Sequence, residues 1–114
     1  MKPSIVAALF VGLTSPTPTT AAWFNTEQLL AVCESGLQNP VPDNPRFALC
    51  TGLIIGVLTA DVMEKDVICL PIDTDTKAAI RVFVARAAAE PDKHIDGVVT
   101  LYRALAEQYP CKAK

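Results

Sequence analysis

The 114-residue chain is poor in the residue types that catalysis and metal binding most often use. It has a single histidine, His94, and a single tryptophan, and only 19% of its residues are charged, for a formal net charge of -2. One histidine is too few for a histidine-based metal site. No two of the four cysteines lie within the two-to-four-residue spacing of a structural zinc knuckle. A weakly acidic chain offers no basic stripe for nucleic acid and no polybasic segment for anionic lipid, so neither is expected as a partner. The chain also lacks a nucleophile elbow, a phosphate-binding glycine loop, a low-complexity tract and the alternating apolar pattern of half-buried strands. No catalytic residue, cofactor or metal is expected.

What is present begins with export grammar. Lys2 supplies a positive charge, Ile5 to Leu13 forms a short apolar stretch, and Thr14 to Ala22 is rich in small residues with Thr and Pro. Residues 1–22 therefore read as a signal peptide, with cleavage after Ala22 or Ala21. An apolar stretch of about nine residues is half of what a spanning helix needs. The domain is expected over residues 23–114, where nine Lys and Arg face twelve Asp and Glu. Cys33, Cys50, Cys69 and Cys111 all lie in that part, and an even count in a small exported chain reads as disulfides.

Helical periodicity organises the rest. Thr26 to Gly36 reads as a short first helix capped by Asn25 or Thr26 and ended by its glycine. Pro40, Pro42 and Pro45 make residues 38–45 a non-helical connection. Phe47 to Met63 is almost continuously apolar, and an all-round apolar helix is expected to be the buried central rod, too short to cross a bilayer. Gly52 and Gly56 share one of its faces and predict a close approach by another helix. Lys65 to Pro71 is a turn, and Asp73-Thr74-Asp75 caps a third helix from Thr76 to Ala89 that docks through Ile80, Phe83, Val84 and Ala87. Ile95, Val98, Val99, Leu101, Tyr102, Leu105 and Tyr109 define a fourth, up to Pro110. The fold class is all-α, a small four-helix bundle, orthogonal or up-down, with four helices or four and an extra short one.

Four cysteines allow three pairings. Short connections make successive helices antiparallel, which puts Cys33 and Cys50 at one end of the bundle and Cys69 and Cys111 at the other. The second helix is about 25 Å long, whereas a disulfide tolerates about 7 Å between Cα atoms. The expected bridges are Cys33–Cys50 and Cys69–Cys111. With both made, no thiol nucleophile remains. His94 stands beside Asp92 and Asp96 where caps are expected, and Asp73 and Asp75 sit at a helix start, where carboxylates stabilise the dipole.

The order of Leu29-Leu30, Cys33, Cys50-Thr51-Gly52, Ile55-Gly56-Val57, Cys69-Leu70-Pro71, Glu90-Pro91, His94, Ala104-Leu105 and Tyr109-Pro110-Cys111 resembles the Rap/Tai immunity-protein family. The resemblance runs from about Thr26 to Cys111, with Leu53 standing where the family often has an aromatic residue. It implies a non-enzymatic periplasmic protein, commonly a homodimer, that occludes a peptidoglycan amidase effector delivered by type VI secretion. Two loops are the candidate contact surfaces: residues 38–46, with Asn39, Asp43, Asn44 and Arg46, and residues 90–96, with Asp92, Lys93 and His94. The competing reading is a small helical acid-stress chaperone of the periplasm, which would release apolar surface when its carboxylates protonate.

Overall fold

The computed structural model describes residues 24–112. The leader expected over residues 1–22 and its cleavage point lie outside them. Four helices follow one another: α1 (Thr26–Gln38), α2 (Pro45–Glu64), α3 (Thr76–Ala88) and α4 (Gly97–Gln108). Among the described residues there is no strand, only the isolated bridges Asn25↔Asp96 and Ile68↔Pro110. The all-α class holds.

Each helix starts on an Asn or Asp whose side chain accepts a hydrogen bond from a first-turn amide. Asn25 and Gln28 form a reciprocal capping box on α1, with bonds of 2.8 and 3.0 Å. Asn44 caps α2, whose first position is Pro45, and Asp75 and Asp96 cap α3 and α4. Proline suits that first position because the amide it lacks would have no partner there. Gly36 does not end α1, which runs two residues further to Gln38. The glycine is instead where α1 and α2 touch: a Cβ there would lie 2.8 Å from the Cα of Phe47.

Leu29, Ile80, Phe83, Ala87 and Leu105 have no exposed surface, and all come from α1, α3 or α4. This overturns the reading of the second helix as the central rod. Only one stripe of α2 faces inward, Cys50, Ile54, Val57 and Asp61, while Leu49, Ile55, Val62 and Met63 are 40 to 79% exposed. Continuous apolarity identifies a helix without saying how many neighbours it has. Here α2 packs chiefly on α1 and much less on α3 and α4. Nor is it too short to cross a bilayer, since the helix has 20 residues, an 18-residue window of it has a mean hydropathy of 1.7, and it passes by length and composition. What ties it to the domain is its inner stripe and a disulfide.

The expectation for Gly52 and Gly56 fails with it. A Cβ at either would meet nothing within 4 Å. The close helix approaches fall at Gly36 and at Gly97, where a Cβ would lie 3.0 Å from Leu29 and from the carbonyl of Asn25.

Both disulfides form as the helix topology requires. Cys33–Cys50, with Cα atoms 5.4 Å apart, joins α1 to the start of α2. Cys69–Cys111, at 4.8 Å, joins the loop after α2 to the segment after α4. Two backbone bonds flank the second bridge, from Cys69 N to Tyr109 O at 2.7 Å and from Cys111 N to Val67 O at 3.1 Å.

Candidate functional site

The two loops singled out in the sequence lie at opposite ends of α1. Residues 39–44 leave its C-terminus. The 90–96 corner is hydrogen-bonded to its N-terminus, through Thr26 N to Ile95 O at 2.8 Å and Glu27 N to Lys93 O at 3.1 Å. Thirteen helical residues separate the corners by about 20 Å. They are two separate surfaces.

Within the first corner, the side chain of Asn44 holds the loop itself. The Asn44 amide donates to the carbonyl of Asn39 at 2.8 Å, and its oxygen accepts from Arg46 N at 3.1 Å. Asp43 and Arg46 are exposed. Among the described residues neither side chain has a hydrogen bond or ion pair within the chain. The corner is stiffened by its prolines and by the Cys33–Cys50 bridge directly behind it. In the second corner, Asp92 accepts from His94 N at 3.0 Å and makes the turn. Lys93 donates through Nζ to the carbonyls of Ala88 and Glu90 at the end of α3, at 3.1 and 2.8 Å. His94 is exposed. Among the described residues, four of the seven candidates, Asn39, Asp43, Arg46 and His94, are exposed and have side chains without a hydrogen bond or ion pair in the chain, free to meet a partner.

One buried charge was missed by sequence reasoning, which treated Asp61 as an interruption of the apolar run. It is 3% exposed. Its carboxylate accepts from Ile68 N at 2.9 Å, Val67 N at 3.2 Å and Tyr102 Oη at 2.9 Å. Burial pushes this carboxyl upward, but the two amides, the tyrosine hydroxyl and the nearby Lys65 outweigh that and hold it below the usual carboxylate range. Burial and the same carboxylate raise Tyr102. The signal was available: Asp61 continues the spacing of Cys50, Ile54 and Val57, so it belongs to the inward face. With both oxygens engaged it is a latch on residues 65–69 and offers no spare base.

A groove of about 420 Å³ runs between α2 and α4 above this latch, with Val57, Ala60, Val98 and Val99 in its wall and Glu64 and Arg103 among its polar residues. Among the described residues, no group of three His, Cys, Asp or Glu side chains is placed to hold a metal ion. The description "Rap1a immunity proteins" matches residues 25–111, most of the chain and all four helices. The chain belongs to the Rap1a immunity protein family. No curated protein and no solved structure gives a significant match. Membership supports an immunity role for this Rap1a-family domain and implies a protein effector as its partner. Both disulfides and the helical fold suit such work, since a surface held rigid before contact loses less entropy on binding.

Proposed function

We propose that the chain is exported by its leader, acts in the periplasm, and protects the cell by binding over the catalytic cleft of a peptidoglycan amidase delivered by type VI secretion. Family membership carries this reading. Two disulfides in a 114-residue chain support the oxidising compartment. The contact is made by the α1–α2 corner, because it is the loop that is proline-stiffened, backed by a disulfide and furnished with uncommitted charges of both signs, Asp43 and Arg46. Nothing in the mechanism requires bond-making by this chain. The corner fills the cleft and denies it to the glycan-linked peptide.

The test uses the purified chain and any peptidoglycan amidase that is found encoded beside its gene. Cell-wall hydrolysis is measured with increasing amounts of inhibitor. Wild type is expected to inhibit stoichiometrically, and the double variant Asp43→Arg/Arg46→Glu to need at least tenfold more protein. His94→Ala, at the other end of α1, should inhibit as wild type does. Full inhibition by the charge-swapped corner would move the contact elsewhere, and no inhibition by wild type would remove the amidase from the proposal.

A further inference from the structure

The groove between α2 and α4 takes no part in the corner contact. It begins at Val57, about 18 Å along α2 from Pro45. Its two walls share one gradient of polarity. On α2, Val57 and Ala60 come before Glu64 and Lys65, and on α4, Val98 comes before Arg103. The 2.9 Å bond from Tyr102 Oη to Asp61 ties the two walls together where apolar gives way to polar. The result is a channel about 12 Å long, from Val57 to Lys65, that is apolar at one end and charged at the other. Its volume of about 420 Å³ lies within the range of small-molecule sites, about 300–1,000 Å³.

The charges at the polar end identify the ligand. Asp61 is saturated by Val67 N, Ile68 N and Tyr102 Oη. Glu64, Lys65 and Arg103 are exposed and, among the described residues, make no ion pair or side-chain hydrogen bond within the chain. Two uncommitted cations therefore stand against one uncommitted anion. The hollow between α3 and α4 contrasts with this, because its Arg86 is already bound to Glu90 and Glu107. An apolar channel that ends in unused cations complements an amphiphilic anion. The alkyl chain would lie along Val57, Ala60 and Val98, and a carboxylate head would accept charge-assisted hydrogen bonds from Lys65 and Arg103.

We propose that the α2–α4 groove is a binding site for a free medium-chain carboxylate, one molecule to each chain. A channel of this volume takes one alkyl chain, which fits a free acid and not a two-chain membrane lipid. The site is separate from the α1–α2 corner, so it stands or falls independently of the amidase reading.

Titration calorimetry of the purified chain with decanoate tests it, with amide NMR shifts to locate the ligand. A dissociation constant below about 1 mM is expected, tightening roughly fourfold for each methylene buried in the series hexanoate, octanoate, decanoate. The shifts should concentrate on residues 57–65 and 98–103. Ala60→Phe fills the channel from an exposed position and should weaken decanoate at least about tenfold, its fold being checked by circular dichroism. Lys65→Glu/Arg103→Glu should bind decylammonium in preference to decanoate, the reverse of wild type. Should the double variant not fold, Arg103→Glu alone should shift the preference in the same direction. No binding of decanoate at about 1 mM overturns the proposal, as does binding indifferent to Ala60→Phe or to the charge of the head group. Binding to phosphatidylglycerol vesicles without binding of free decanoate also overturns it, and so do shifts centred on Leu49 and Ile55, on the outer face of α2.

Discussion

Inner and outer faces of α2 are built from similar residues and meet opposite fates. Isoleucine stands at 54, 3% exposed, and at 55, 58% exposed, and only the first lies in the core. The same division separates the glycines. Gly36 and Gly97 are pressed against a neighbouring backbone or side chain, whereas Gly52 and Gly56 face open space. A residue's type therefore says whether it tolerates a contact, and the topology decides whether the contact exists.

The largest expected loss tests the frame on which both faces hang. Replacing Cys69 and Cys111 by serine should cost about 4 kcal/mol, and replacing Cys33 and Cys50 about 3 kcal/mol, because the first pair closes the longer loop. Urea denaturation of each variant under non-reducing conditions measures this. Equal losses, or a greater loss at Cys33–Cys50, would show that strain or residual structure outweighs loop length.

Next in size is the direct comparison of the two isoleucines. Ile54→Ala should destabilise by about 2–5 kcal/mol, since it leaves a cavity against the core. Ile55→Ala should change stability by less than about 0.5 kcal/mol when measured at concentrations too low for self-association. Similar losses at both sites would mean that the outer face is covered within the monomer.

That comparison also marks how far the sequence was legible. Capping residues, proline breaks and apolar periodicity located all four helices, and their antiparallel order gave the disulfide pairing, because each of those signals is local or follows from element length. The position of α2 was not legible. An apolar helix buried on one side looks the same in composition as one buried on all sides, and only the number of helices available to cover it distinguishes them. The candidate contacts divided for a related reason. Asn44, Asp92 and Lys93 serve their turns through side-chain hydrogen bonds, whereas Asn39 lends only its backbone, and a polar loop residue shows no sign in sequence of which demand it serves.

The glycines give a smaller effect whose sign is the informative part. Gly36→Ala should cost about 1–3 kcal/mol, because its Cβ would sit 2.8 Å from the Phe47 backbone and α1 would have to move off α2. Gly52→Ala should stabilise the monomer by up to about 1 kcal/mol, since alanine favours the helix and meets nothing. Thermal melts at low concentration would show opposite shifts in midpoint.

The smallest effect is confined to acid and concerns the one charge on the inner face. Asp61 has its folded-state carboxyl held below the usual range, so it adds stability above the pH where an unfolded carboxylate titrates, and that stability is lost as pH falls through the folded value. Asp61→Asn removes this dependence. Wild type should therefore be the more stable at about pH 7, and its advantage should shrink towards about pH 3. An advantage that stayed constant would place the origin of the effect in packing. Protonation releases the amides of Val67 and Ile68, yet Cys69–Cys111 still ties that loop to the end of α4. The core should stay closed, and binding of an apolar dye should not rise with the fall in pH. A rise that follows the loss of the Asp61 bonds would instead be the acid-opened surface expected of a stress chaperone, with the inner face of α2 as its source.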